Sequence, residues 1–242
     1  MYFYAIKTVN LTKYYGNFPA CVDINLNIPK GDVFAFIGPN GAGKTTTIKM
    51  LTGILKPTKG DILINGNNIN ENPLEAKKII GYLPDRPFLY EKLTGREFLF
   101  MVKEIFKVSD KAFNSSLEYY LEYFTFKDRI DELIENYSHG MKQKIVLISA
   151  LIHDPEIFIM DEPLVGLDPK SSKLLKDLIK NLSEKGKTFF ISTHILSLVE
   201  EICKNVAIIN RGRIIICDNI ENIKNSNFKF EDFFLETIEK QT

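Results

Sequence analysis

The sequence of 242 residues contains no tryptophan, only three cysteines and no excess of either charge. Cys21, Cys203 and Cys217 are odd in number and scattered. This spacing matches no metal site and favours ordinary thiols in a reducing cytosol. Basic and acidic residues number 31 each, and this balance gives no support to nucleic acid as the main partner.

Long apolar runs are also missing. The longest, Ile145–Ile152, has the length of a core helix, whereas a membrane-spanning helix needs ~20 residues. The N-terminus, Met1–Lys7, lacks the basic region and long apolar stretch of a secretion signal. With 45% hydrophobic and 26% charged residues, the composition is typical of a soluble globular protein, and the length of 242 residues predicts one large domain, or one domain with an inserted lobe.

The most informative feature present is Gly38–Thr45, which matches the phosphate-binding pattern Gly-x-x-x-x-Gly-Lys-[Ser/Thr]. The run Val33–Ile37 before it predicts a buried strand, and Thr46–Gly53 after it predicts a helix. The glycines let backbone N–H groups face an anion, and the helix dipole favours the same position. Lys44 is predicted to reach the β- and γ-phosphates and Thr45 to hold Mg²⁺. A chance glycine-rich turn is the alternative.

Further polar groups follow two predicted strands. Asp161 and Glu162 follow the apolar run Ile157–Met160, and His194 follows a second apolar run. Ligands bind at the carboxyl ends of strands in a parallel sheet, so we predict Asp161 as a metal ligand and Glu162 as the group that activates water. His194 is predicted to contact a γ-phosphate or the water. The alternatives are a helix-capping acidic pair and a merely structural histidine.

Ser138 and Gly140 precede a core helix predicted to begin near Ile145, where a helix start could bind an anion. This signal alone is weak, because such helix starts are common.

The order of predicted elements indicates an α/β fold with an inserted helical region. Short strands and turns dominate up to about Tyr82, and Asn65-Gly66 predicts a hairpin. We predict an α/β core over residues 1–86 and 152–220, a helical subdomain over 87–151 and a helical tail over 221–242.

The motifs and their order together resemble the nucleotide-binding subunit of ATP-binding cassette (ABC) transporters over roughly residues 3–236. Ser138-His-Gly140 lies where that family has its Leu-Ser-Gly-Gly-Gln signature, and Gly166–Pro169 is similar to its D-loop. The resemblance implies a P-loop NTPase core with a mixed sheet, an N-terminal antiparallel β subdomain and an inserted helical subdomain.

The resemblance also implies site residues for ATP and Mg²⁺. The catalytic residues are Glu162, His194 and Lys44, and the implied metal ligands are Thr45, Asp161 and Asp85. The nucleotide-binding residues are Tyr15, which stacks on adenine, Gly38, Pro39, Asn40, Gly41, Ala42, Gly43, Lys44, Thr45, Thr46, Ser138, Gly140 and Asp168.

Two departures from the family pattern stand out. Asp85 replaces the usual Gln, and because aspartate is shorter, its contact to Mg²⁺ is either direct or bridged by water. The signature has Tyr137 for Leu, His139 for the first Gly and Met141 for Gln, whereas Ser138 and Gly140 are retained.

The family resemblance implies partners and a location. Two such subunits, identical or different, share ATP between the P-loop of one and the signature of the other. A separate integral membrane permease, often of an exporter, completes the assembly on the cytoplasmic face of the membrane. Phe88, Leu89 and Tyr90 either help to form the docking groove or belong to the core. The alternative functions are an ABC-type ATPase that is not coupled to transport and an ATP-binding switch with little hydrolysis.

Overall fold

In the computed structural model, residues 3–224 and 230–239 are described. The strands are β1 (Tyr4–Tyr15), β2 (Phe18–Pro29), β3 (Val33–Ile37), β4 (Lys59–Ile64), β5 (Asn67–Asn68), β6 (Ile80–Leu83), β7 (Ile157–Asp161), β8 (Thr188–Thr193), β9 (Asn205–Asn210) and β10 (Arg213–Asn219). The helices are α1 (Lys44–Leu51), α2 (Pro73–Lys78), α3 (Gly95–Phe106), α4 (Asp110–Tyr123), α5 (His139–Leu151), α6 (Pro169–Glu184), α7 (Leu196–Ile202), α8 (Ile220–Lys224) and α9 (Phe230–Glu239).

The strands form two sheets. An antiparallel sheet has the order β2-β1-β4-β5, and a six-stranded mixed sheet has the order β10-β9-β3-β8-β7-β6. In the mixed sheet, β6, β7, β8, β3 and β9 run parallel, and only β10 is antiparallel to its neighbour. The predicted fold class is therefore confirmed. The strand order places the carboxyl ends of four successive parallel strands (β6, β7, β8 and β3) at one edge of the sheet.

The mixed sheet lies between two apolar clusters. In β3 the residues alternate: Val33 and Ala35 belong to a cluster with the long helices, whereas Phe34 and Phe36 belong to a cluster with α1 and the antiparallel sheet. Every residue of β3, β7 and β8 is buried. Such burial is typical of parallel strands covered on both faces, and it anchors the loops that follow each strand.

The hairpin predicted at Asn65-Gly66 is present between β4 and β5. Asn65 has φ 46° and Gly66 has φ 83°, and Ile64 pairs with Asn67. Two successive residues with positive φ define a type I′ turn, whose twist matches that of the flanking strands.

Two details of the sequence-based prediction are wrong. The first two strands are not short: β1 and β2 contain 12 residues each. Register shifts that span Asn10, which has φ 49°, allow β1 to continue through a position that breaks the strand pattern. The helix expected near Ile145 begins six residues earlier, at His139, because Ser138 caps a first turn in which only Met141 is apolar.

The helices α3, α4 and α5 lie between β6 and β7 in the chain. Their buried residues join the same apolar cluster as one face of the mixed sheet. The domain boundaries given above remain predictions. Within the predicted tail, residues 225–229 and 240–242 lie outside the described residues, and Phe230 of α9 is buried.

Candidate functional site

The P-loop connects β3 to α1 in the backbone conformation that phosphate binding requires. Gly41 and Gly43 have φ values of 78° and 109°, which favour glycine. A Cβ at Gly43 would lie 2.6 Å from the carbonyl oxygen of Ala20, and one at Gly38 would lie 2.1 Å from that of Ile209. The chain therefore needs glycine at these positions to form the loop.

The start of α1 offers backbone donors to an anion. Its N-cap is Gly43, and no capping hydrogen bond from a side chain is present at this helix start, a region that is fully described. The first N–H groups of a helix have no partner within the helix, and together with the dipole they favour negative charge.

Lys44 brings a cation to the same place. Its Nζ donates hydrogen bonds to the carbonyl oxygens of Gly38, at 2.7 Å, and Pro39, at 3.1 Å. Burial lowers the pKa of Lys44, and the nearby carboxylates of Glu162 and Asp161 partly oppose this shift. The ammonium group is thus held by neutral carbonyls beside an anion-binding loop, where a phosphate would relieve the cost of its burial.

Thr45 and Asp161 are joined across the cleft. The Thr45 hydroxyl donates to Asp161 Oδ2 at 3.0 Å, although the two residues lie on α1 and at the end of β7. Burial raises the pKa of Asp161, and repulsion by Asp85 and Glu162 adds to this effect, against hydrogen bonds that lower it. The site therefore concentrates negative charge that a cation would neutralise.

The donors at this position fit Mg²⁺ but do not form a complete cage. Hydroxyl and carboxylate oxygens from Thr45, Asp161 and Asp85 border the same cleft, and such hard ligands suit this ion. Within residues 3–224 and 230–239, no three His, Cys, Asp or Glu side chains are grouped to hold a metal. Protein-bound Mg²⁺ usually takes its remaining ligands from phosphates and water.

Glu162 and His194 form a hydrogen-bonded pair at the ends of β7 and β8. Glu162 Oε1 lies 2.8 Å from His194 Nδ1, and Oε2 accepts a hydrogen bond from the Thr193 hydroxyl at 3.2 Å. Glu162 has φ 52°, a conformation that is uncommon for residues other than glycine and that often occurs at functional sites. Its N–H donates to the Ser192 carbonyl at 2.9 Å, which holds the strained backbone in place.

These groups border one cleft of about 420 Å³, a volume within the roughly 300–1,000 Å³ of ligand pockets. The predicted site residues that border it are Tyr15, Asn40, Gly41, Gly43, Lys44, Thr45, Thr46, Asp85, Asp161, Glu162 and His194. Gly38, Pro39 and Ala42 belong to the loop but do not line this cleft.

Tyr15 lies at the mouth of the cleft, at the end of β1. Its ring is half exposed, and Lys13 Nζ lies 5.5 Å from the ring centroid. Phe18 also borders the cleft, as do Ala20 and Val165. Sequence reasoning missed these three residues. Phe18 lies across the β1–β2 turn and pairs with Tyr15, a contact that no local sequence pattern indicated.

The predicted signature residues lie elsewhere. Ser138 caps α5 by accepting a hydrogen bond from the Met141 N–H at 3.3 Å, and neither Ser138 nor Gly140 borders the cleft. Asp168 also lies outside the cleft. It caps α6, and hydrogen bonds from the hydroxyl and N–H of Ser171 lower its pKa to about 2.

The sequence left open whether residues 88–90 help to form a docking groove or belong to the core, and in the structure these residues differ in exposure. Leu89 is buried in the core, whereas Phe88 and Tyr90 are exposed and contact each other edge to face. Within the described parts of the chain, no helix combines the length and apolar character needed to cross a bilayer.

The fold and the cleft define the class of this protein: it is a P-loop nucleotide-binding protein with an appended antiparallel sheet. The family model described as ABC transporter matches residues 21–165. The chain belongs to the ABC transporter family, among its ATP-binding subunits.

One relative and two solved structures show the extent of the similarity. The bacitracin transport ATP-binding protein BcrA of Bacillus licheniformis is 39% identical over 231 residues, which cover 95% of this chain and 74% of that protein. The structure of an ATP-binding subunit of an ABC transporter has a TM-score of 0.92 and 30% identity, covering 96% of this chain and 99% of the other. A dimeric bacterial ABC transporter cassette has a TM-score of 0.81 and 26% identity, covering 89% and 98%.

Proposed function

We propose that this chain binds and hydrolyses ATP with Mg²⁺ and thereby powers transport by a separate membrane permease. The observation that carries the proposal is the convergence of Lys44, Thr45, Asp161, Glu162 and His194 on one cleft. An ammonium, a hydroxyl, two carboxylates and an imidazole are the groups that phosphoryl transfer to water requires.

We propose a role for each of these side chains. Lys44 and the N–H groups of the P-loop bind the phosphates and stabilise charge on the γ-phosphate. Glu162 orients the attacking water and accepts its proton, and His194 steadies the carboxylate and the γ-phosphate. Thr45 and Asp161, with Asp85 directly or through water, would hold Mg²⁺, which neutralises phosphate charge when bound.

An aromatic surface on which adenine could stack lies at the mouth of the cleft. Tyr15 is half exposed at the mouth of the cleft, and stacking on such a ring binds a base without a fixed hydrogen-bond pattern. We propose that Tyr15 contacts adenine and that Phe18 extends this apolar surface.

The active form that we propose is a pair of such subunits. Ser138 and Gly140 lie outside the cleft of their own chain, so they would approach the γ-phosphate bound to a partner, and Asp168 would lie at the same interface. The structural similarity to a dimeric cassette supports this arrangement. Both identical and non-identical pairs are compatible with one full set of motifs.

Transport and location follow from the family. The named transport role of a 39% identical relative supports a permease partner, and we propose export as the direction and the cytoplasmic face of the membrane as the location. The exposed pair Phe88 and Tyr90, close in sequence to Asp85, is the surface that we propose for contact with the permease.

Glu162→Gln tests the proposed hydrolysis. It keeps the shape of the side chain but removes the base, so we expect phosphate release to fall about 10²- to 10⁴-fold, while ATP binding persists and the dimer is trapped. Glu184→Gln, at the exposed end of α6, is the matched control and should leave turnover unchanged.

Three outcomes would each contradict part of the proposal. Wild-type turnover in Glu162→Gln would remove this residue from its role as the base. A wild-type chain that binds ATP as a dimer but releases no phosphate would instead be an ATP-binding switch. Hydrolysis with no membrane protein co-purifying would favour an ATPase that is not coupled to transport.

A further inference from the structure

A second cavity, of about 270 Å³, adjoins the ATP cleft. Asn40 and His194 line both spaces. The apolar walls of the second cavity are formed by Ile37, Leu196 and Phe234. Because Phe234 belongs to α9, this helix lies at the same edge of the mixed sheet as the residues proposed for catalysis.

Helix α9 has one face on the core and a second face that is exposed. The core face consists of Phe230, Phe233, Phe234 and Ile238. The second face contains Glu231, Leu235 and Glu239, which share one side of the helix because they are spaced by four residues. All three are exposed, Leu235 to 51%. Neither glutamate of this exposed row forms an ion pair with another residue in 3–224 or 230–239.

The start of α6 carries positive charge that the helix does not stabilise. Lys170 and Lys173 are exposed near its N-terminus, and its first turn contains no acidic residue. The dipole at a helix N-terminus favours negative charge and disfavours cations. Lys176 pairs with Glu201 at 2.6 Å, whereas Lys170 and Lys173 form no ion pair with the described part of the chain. An acidic surface on another molecule would neutralise them.

The start of α6 lies beside the start of α5 in the same chain. A Cβ added at Gly140 would lie 3.0 Å from the carbonyl oxygen of Gly166, in the loop before α6. Lys144 Nζ lies 3.6 Å from Oδ2 of Asp168, the cap of α6. In the proposed pair, the start of α5 approaches the partner's cleft, so the start of α6 approaches it as well. The cavity bordered by α9 adjoins that cleft.

We propose that the exposed row of α9 binds the start of α6 in a second copy of this chain. The carboxylates of Glu231 and Glu239 would face the ammonium groups of the partner subunit's Lys170 and the partner subunit's Lys173, and Leu235 would add an apolar contact between them. The proposal rests on the proposed function, in which two subunits share ATP. In a two-fold symmetric pair the contact occurs twice, so α9 would help to hold two identical chains together.

Charge reversal tests this contact in the Glu162→Gln background, in which ATP is expected to trap the pair. Glu231→Lys with Glu239→Lys reverses the α9 side. Lys170→Glu with Lys173→Glu reverses the α6 side. Either reversal places like charges opposite each other, so the dissociation constant of the ATP-bound pair should rise about tenfold.

The fourfold variant reverses both sides and leaves the net charge unchanged. Its dissociation constant should return to within about threefold of the parent value, because the two sides are coupled. Analytical ultracentrifugation with ATP measures the pair. At about 1 M salt the effect of either single-side reversal should shrink, since exposed charges are screened.

Glu118→Lys with Glu122→Lys is the matched control. Both glutamates are exposed on α4, and their reversal changes the net charge by the same amount as the α9 reversal. The control should leave the dissociation constant unchanged and should not restore a pair weakened by the α6 reversal. Thermal unfolding without ATP should be nearly the same for the α9 reversal and for the control, which separates a weakened contact from a misfolded chain.

The outcomes distinguish this contact from the proposed function. An ATP-bound pair that responds to the α9 reversal no more than to the control, or that the fourfold variant does not restore, would overturn the contact and leave the shared site in place. Absence of any ATP-dependent pair would overturn the proposed active form as well.

Discussion

The chain contains two helix starts that follow a glycine or serine and resemble anion sites in sequence, but they differ in structure. The start of α1 lies inside the cleft, has Gly43 as its N-cap and is accompanied by Lys44. The start of α5 lies outside the cleft, has an exposed Ser138 as its cap and packs against Gly166. The cleft at the start of α1 is lined by Asp161, Glu162 and His194, whereas the start of α5 does not border this cleft.

In the function proposed above, a single chain therefore contains all the motifs but only half of a site. A phosphate bound at α1 would meet Lys44 and the polar groups that line the cleft, whereas Ser138 and Gly140 do not border it. Ser138 is exposed at the start of α5, and Gly140 is partly exposed beside the Gly166 carbonyl. A second subunit is the simplest source of the missing side.

Removal of the Lys44 cation at the start of α1 should reduce ATP affinity more than removal of the Tyr15 ring or of the Asp168 cap. Lys44→Met keeps the apolar stem but removes charged hydrogen bonds, each worth about 1.5–3 kcal/mol, so ATP affinity should fall on the order of 100-fold. Because the ammonium is buried at a cost, the melting temperature without nucleotide should not fall. Thermal shift with and without ATP measures both effects, and an undiminished shift with ATP would contradict the role of Lys44.

Removal of the aromatic ring at the mouth of the cleft should weaken ATP binding to an intermediate extent. Tyr15→Ala removes a stacking surface worth about 1–3 kcal/mol per base, so the Kd for ATP should rise about tenfold. Tyr15→Phe retains the ring and should bind almost as the wild type does. If inorganic triphosphate affinity fell equally in Tyr15→Ala, the ring would not be contacting the base.

In the single chain, removal of the α6 cap should have the smallest effect, on stability and not on ATP affinity. Asp168→Ala removes the cap of α6, which is typically worth about 1 kcal/mol, whereas ATP affinity of the single chain should not change. The carboxylate is about half exposed, so solvent screening limits the energy that its pKa shift represents. Urea unfolding of both proteins measures the difference in free energy of unfolding.

The difference in free energy of unfolding between the wild type and Asp168→Ala should depend on pH. The folded-state pKa of Asp168 is lowered to about 2, below the unfolded value of about 3.9. Its stabilisation is therefore complete above the unfolded pKa and is lost as the pH falls toward 2. The gap between wild type and Asp168→Ala should narrow from pH 5 to pH 3. Ser109→Ala, which removes the uncharged cap of α4, should show a gap that does not change with pH.

The residues at the sheet edge could be predicted from the sequence because local patterns determine them. Val33–Ile37 and Ile157–Met160 are apolar runs of strand length, and each is followed by polar groups at the carboxyl end of the strand. Parallel pairing then brings those groups together without further information. The sequence could therefore place Lys44, Asp161 and Glu162 near one another.

Contacts between distant segments could not be predicted in this way. No local pattern indicates that His139 packs on Gly166 or that Phe18 borders the cleft, since both depend on how separate elements meet in three dimensions. The early start of α5 was missed for a related reason. Its first turn contains a single apolar residue, Met141, so hydrophobic periodicity detects the helix only from Ile145 onward.

The shared site can be tested most directly by mixing two inactive variants. Lys44→Met disables the P-loop side, and Ser138→Glu places a negative charge at the start of α5, where it would repel the partner's γ-phosphate. Each variant alone should be inactive. In an equal mixture, half of the pairs combine one chain of each kind and contain one intact site, so about a quarter of wild-type phosphate release should return. A mixture as inactive as its two components would contradict the shared site.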